Sequence, residues 1–209
     1  LDKSTLCVLL TLIFSLPAVA EDSKPASLAD RGELLFSDDF ERSGLGDWKE
    51  ILPGFRVADG VLVGTQDKPD HGSVGRIYVP MKDVVVSFRF KLAGSPRFNL
   101  VFDDKSHKGS HAGHICRVAV AEEQIRLGDD KEGIMRNDIF KMKRDPKTKD
   151  AAEKLLEGRG SSVKADLESN RWCEMEVQIV GDEMRVSLDG KVIGYLKSPG
   201  LAHQTKESL

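Results

Sequence analysis

The stretch DDKSHKGSHAGHICR (103–117) sets three of the chain's five histidines beside two aspartates. Imidazole exchanges protons near neutral pH, and next to carboxylates it can serve as a base or as a metal ligand. His111 and His114 are therefore candidate bases, with Asp103 as a partner and Arg117 as a cation for developing negative charge. Asp104, His111 and His114 form a second, overlapping set, a candidate site for a divalent metal such as Ca²⁺ or Zn²⁺. The spacing HAGH would join both rings on one face of a helix and part them on a strand. Gly109, Ser110 and Gly113 mark it instead as a loop, which allows convergence without compelling it. The competing reading is structural: the glycines shape a tight connection while the histidines cap strand ends by hydrogen bonding.

A second polar concentration, RLGDDKEGIMRND (126–138), follows a strand pattern and contains two glycines. Arg126, Asp129, Asp130, Arg136 and Asn137, joined by Asn99 from an earlier strand, are candidate sugar contacts, and the loop's composition suits sugar hydroxyls or a Ca²⁺ ion; a solvated loop is the alternative. The two loops flank one hairpin and are expected to form a rim, with Arg89, Asn99, Arg117 and Arg126 lining the sheet that leads to it. Trp48 and Trp172 are candidates either for stacking on a sugar ring or for packing.

The elements that must position these groups are strands. In DVVVSFRFKL, Val84, Val86, Phe88, Phe90 and Leu92 alternate with Ser87, Arg89 and Lys91, the period of a half-buried strand. The same period recurs in RFNLVFD, ICRVAVA, CEMEVQIV and EMRVSLDGKVIGYL, and Asp59-Gly60 and Asp189-Gly190 are two-residue hairpin signals. Glu122-Glu123 reads as a solvated hairpin turn. Many strands and almost no helix predict an all-β, antiparallel two-sheet sandwich. One exception is expected: RDPKTKDAAEKLLEGRG, with Asp145 as N-cap, Pro146 at the first helical position and Gly158 as stop, predicts a single short inserted helix acting as a packing lid.

The formal net charge of −3, with 31 basic and 34 acidic residues interspersed, supplies no polycationic face for nucleic acid. LDKSTLCVLLTLIFSLPAVA has a basic start, an apolar core over 6–16 and a small-residue ending at Ala20, the anatomy of a secretory signal peptide too short to span a membrane in the mature protein. The expected organisation is thus a signal peptide over 1–20, a polar lead-in over 21–33 and a sandwich domain over 34–209, placing the mature protein outside the cytoplasm. Of three cysteines, Cys7 leaves with the signal; Cys116 and Cys173 lie on apolar strand faces, as a disulfide or as two buried thiols. The polar LAHQTKESL stops where a two-sheet fold normally supplies a further strand, so the domain reads as lacking its last strand.

LLFSDDFERSGLGDWK, FRVADGVLVGTQ, GRIYVPMKDVVVSFRFKL and SLDGKVIGYLKSPGLAH resemble secreted domains of the 3-keto-disaccharide hydrolase-like family, common in planctomycete-type bacteria and similar to family 16 glycoside hydrolases. The resemblance spans 34–209 and implies a concanavalin-A-like jelly roll with an opening acidic-aromatic strand. It departs from the glucan-cleaving pattern. Family 16 enzymes resemble one another in a Glu-x-Asp-x-x-Glu run that sets two carboxylates on one strand face, and this chain has none. A 3-keto sugar offers another route, in which the carbonyl acidifies the neighbouring proton, so that one base and one cation suffice. The resemblance implies a hydrolase or lyase on 3-keto-glycosides; the missing carboxylate pair favours a lectin-like, non-catalytic carbohydrate-binding module instead.

Overall fold

Alternating burial assembles two antiparallel sheets. The computed structural model describes residues 26–66, 69 and 71–209, so the signal-peptide reading and Cys7 lie outside the described residues. The strands are β1 (Lys49–Leu52), β2 (Phe55–Ala58), β3 (Val61–Gly64), β4 (Val74–Arg76), β5 (Tyr78–Met81), β6 (Val84–Phe90), β7 (Arg97–Asp103), β8 (His114–Ala121) and β9 (Gln124–Asp129). Two helices follow, α1 (Asn137–Met142) and α2 (Lys149–Leu155), then β10 (Gly160–Lys164), β11 (Cys173–Val180), β12 (Glu183–Leu188), β13 (Lys191–Lys197) and β14 (Lys206–Ser208). A six-stranded sheet runs β10-β9-β8-β7-β14-β5 and a four-stranded sheet runs β13-β12-β11-β6; the pairs β1-β4 and β2-β3 stand beside them. The molecule is a two-sheet jelly-roll sandwich.

Phe102, Cys116, Val118, Val120, Ile125 and Leu127 of the larger sheet meet Phe90, Met175, Val177, Ile179, Met184 and Val186 of the smaller one, all buried. Each such side chain contributes about 1.5–3 kcal/mol by leaving water. Cys116 and Cys173 are both buried free thiols, and burial raises both pKa values, as it does for an inert core cysteine. Asp59-Gly60 and Asp189-Gly190 take positive φ at both positions and close the β2–β3 and β12–β13 hairpins.

Three expectations need correction. The insertion carries two helices rather than one: α1 has no sequence stop signal, and its apolar Ile139 is buried by tertiary packing. The expected helix starts later, with Thr148 at the N-cap, because Asp145 accepts the Lys147 N–H in a turn and Pro146 falls inside that turn. The opening segment over 34–40 is not a strand: Asp38 draws in the Phe40 N–H, the Arg42 guanidinium and the Trp48 indole N–H, and Phe40 takes φ +58°.

LAHQTKESL itself contributes β14, inserted between β5 and β7 in the interior of the larger sheet. Lys206 is fully buried there, its ammonium donating to the Lys82 carbonyl. On the smaller sheet's outer side, Leu28 N–H donates to Gln178 and Arg31 pairs with Glu176, so the polar lead-in covers part of that face.

Candidate functional site

Register fixes what the larger sheet presents on its outer face. Val101, Arg117, Gly128 and Gly160 form one row across four strands; Asn99, Ala119, Arg126 and Ser162 form the next. The two rows carry little bulk at their centre. Asn99 and Arg126 thus share a row, exposed on either side of Ala119. Arg89 does not join them, because β6 belongs to the other sheet, where Arg89 stands 5.5 Å from the Trp172 ring. Trp48 packs against Phe36 and Phe40.

At one end of these rows lies the histidine loop. Asp103 closes β7 and is buried; one carboxylate oxygen meets His114 Nδ1 at 2.6 Å and the other accepts from the Arg76 guanidinium at 2.7 Å. With Nδ1 donating to the carboxylate, the lone pair of the neutral ring lies on Nε2, which has no protein partner among the described residues. The His114 side chain is 21% exposed, so that lone pair is reachable from outside. Gly113 makes the geometry feasible: its φ is +77°, and a Cβ there would lie 2.2 Å from the Asp104 carbonyl oxygen. Ala112 at φ +54° adds a second left-handed residue, and together they fold HAGH back until the His111 and His114 rings are 6.1 Å apart. His111 stacks on Phe140 of α1 at 4.7 Å, and its N–H donates to the Met135 carbonyl. The loop marked by its glycines thus brings the two histidine rings near one another, which their spacing allowed but did not compel.

Beside them Arg117 Nε donates to Asp130 at 2.5 Å. Asp130 is fully buried, and burial pushes its carboxyl upward against the pull of Arg117 and His114. The second Asp130 oxygen and Arg117 Nη2 are buried without a hydrogen-bond partner among the described residues. Buried polar atoms are seldom left this way unless water or a ligand completes them.

The other proposed contacts are placed differently. Asp129 points to the opposite side from Asp130, as neighbours on a strand must. It accepts from Ser198 Oγ at 2.5 Å, the Gly200 N–H at 2.9 Å and the Glu132 N–H, tying β9 to the turn after β13; it is a structural cap and not a sugar contact. Gly200 is required there, since a Cβ would sit 1.9 Å from the Asp129 carboxylate. Arg136 pairs with Asp138 and Glu132, and Asn137 donates to the Lys108 carbonyl, fastening the helical insertion to the histidine loop. The metal set does not assemble: Asp104 accepts from His203 Nε2 at 2.7 Å and from Ser106, on the other side from His114. Among the described residues no three His, Cys, Asp or Glu side chains converge as a metal would need. Arg76, Phe140 and His203 carried no sequence signal, because each reaches the loop from a distant element.

No protein-family model matches the chain, and no curated protein matches its sequence. Solved structures do. SCLam, a non-specific endo-β-1,3(4)-glucanase from family GH16, is similar over 84% of this chain and 77% of its own, with 12% identity and TM-score 0.51. The carbohydrate-binding module CBM66 from Bacillus subtilis covers 78% and 87%, with 11% identity and TM-score 0.48. LamA from Z. galactanivorans, in complex with laminaritriose and laminaritetraose, covers 83% and 84%, with 13% identity and TM-score 0.47. The likeness is one of fold: the chain shares the glucanase's two-sheet β-sandwich architecture.

Proposed function

We propose that this is an exported carbohydrate-active protein that cleaves 3-keto-glycosides with His114 as the base. What carries the reading is the Asp103–His114 pair on the open sheet face, with an accessible Nε2 and the Arg117 guanidinium close by. The shared fold with a GH16 glucanase supports a carbohydrate ligand, and the resemblance to 3-keto-disaccharide hydrolase-like domains supports the keto sugar.

In this reaction His114 Nε2 takes the proton from C2 of the 3-keto sugar, and the electron pair moves onto the C3 oxygen as an enolate, which the positive charge of the nearby Arg117 guanidinium stabilises. The enolate collapses to a C1–C2 double bond, the C1–O bond breaks, and the departing oxygen receives the proton from the imidazolium. Water then adds at C1 as the imidazole accepts its proton, and C2 is reprotonated. Asp103 holds the ring in the tautomer this requires and stabilises its cation, while Arg76 binds the other carboxylate oxygen and fixes its orientation.

A second reading, a lectin-like module, is favoured by one observation: the low rows around Ala119 and Gly128, flanked by Asn99 and Arg126, make a shallow floor on which a sugar could rest without reacting. One experiment separates the two. The protein is incubated with a 3-keto-disaccharide and with its unoxidised parent, with and without chelator, and reducing-end release is followed. Release from the keto sugar alone supports the enzyme; binding of either sugar without release supports the module, and neither binding nor release overturns both.

A further inference from the structure

Across the same sheet from the dyad, Tyr78 of β5 lies in the row that passes through Ser208 to Asp103. The residue is 44% exposed. Lys105 Nζ donates to the phenol oxygen at 2.7 Å and lies 5.2 Å from the ring centroid, toward the hydroxyl end of the ring. The Arg76 guanidinium, 6.0 Å from the ring centroid, flanks Tyr78 and also binds Asp103. Tyr78 is thus an open aromatic surface with two cations at its borders, one of which reaches the catalytic pair.

Charge balance distinguishes this corner from the rest of the face. Arg117 and Arg76 are each neutralised by a buried aspartate, whereas Lys105 has no carboxylate ion pair among the described residues. Lys108, whose ammonium donates to the Lys105 carbonyl, has none either. Glu207 is the acidic neighbour, and its carboxylate accepts the Lys105 backbone N–H. A pyranose stacking on the ring would leave a substituent at its edge facing the Lys105 ammonium.

We propose that Tyr78 and Lys105 form a subsite for a sugar ring bearing an anionic substituent, a carboxylate or a sulfate ester, adjoining the Asp103–His114 pair. The proposal rests on the carbohydrate reading above and narrows its substrate class. Titration calorimetry of the full chain with a tetragalacturonate, a sulfated carrageenan tetrasaccharide and neutral cellotetraose tests it. At low salt at least one anionic oligosaccharide binds ten-fold or more tightly than the neutral one, and the preference fades at high salt. Lys105→Met, an exposed position, lowers that affinity to the neutral level, and Tyr78→Ala weakens every sugar that binds. Which anionic probe wins distinguishes uronate from sulfate. Equal binding of neutral and anionic sugars, or a preference that survives Lys105→Met, overturns the subsite. In that event turnover of the 3-keto-disaccharide would leave the proposed function standing, whereas no binding and no turnover would remove both.

Discussion

Asp103 and Asp104 are neighbours in the chain, and each holds a histidine, but from opposite sides of one strand end. Asp103 takes His114 by Nδ1 and leaves Nε2 toward the open sheet face. Asp104 takes His203 by Nε2, and that ring is boxed by His107 at 5.2 Å. In each pair one ring nitrogen is bonded and the other has no hydrogen bond among the described residues; the pairs differ in their surroundings, His114 lying near the Arg117–Asp130 pair and His203 edge-on to His107 in the turn before β14. One sequence motif therefore yields two histidine–carboxylate pairs, and what surrounds each ring sets them apart.

The largest expected effect tests that division. His114→Gln lowers turnover of a 3-keto-disaccharide by at least about 100-fold, the usual scale for a lost general base, and costs about 1–2 kcal/mol of stability because buried Asp103 loses a partner. His203→Gln costs a similar amount, about 1–2 kcal/mol, read from urea unfolding, but leaves turnover within a few-fold. Equal losses of turnover in the two variants would erase the distinction. Next in size is Asp129→Ala, which strands the Ser198 hydroxyl and the Gly200 and Glu132 amides and costs about 3 kcal/mol of unfolding free energy.

Acid should loosen the Asp104–His203 tether. Burial works to raise the Asp104 carboxyl, but the hydrogen bonds from His203 and Ser106 hold it down to about 2, against 3.8 for the free side chain. The unfolded chain then binds this proton first, so stability present above about pH 4 is lost as the pH falls toward 2, in all about 2 kcal/mol. His107 adds a milder slope at higher pH. Burial lowers its pKa first, helped by His203 and Lys131 and opposed by Asp104 and Glu132. The unfolded chain therefore protonates this ring earlier, and stability declines as the pH drops below about 6.5. His107→Phe removes that upper slope in urea midpoints measured from pH 7.5 to 5. The smallest effect is Arg31→Ala: its side chain is 71% exposed, and loss of the Glu176 pair changes the urea midpoint by a few tenths of a kcal/mol at most.

Much of the fold was legible because period-two burial and Asp-Gly turns are local signals. The sheets follow from Phe98, Leu100 and Phe102 facing one way, and both predicted hairpins close where Asp59-Gly60 and Asp189-Gly190 stand. The site was legible only in part. The sequence brings His111, His114 and Asp103 into one loop, but it does not say that Ala112 and Gly113 turn left-handed and fold the rings together. Asp129 and Asp130 look alike in sequence; strand alternation separates a sheet-to-sheet cap from the partner of Arg117. Arg76 and His203 come from elements remote in sequence, and no spacing rule reaches that far.

The interior position of β14 sets the order in which this protein can become functional. Residues 206–208 must slot between two strands that precede them by about a hundred residues or more, a closure that is slow because so much chain is looped out first. Asp103 borders that slot, paired across from Ser208. Without β14 the larger sheet has no link between β5 and β7, so the Asp103 corner is completed only when that strand docks.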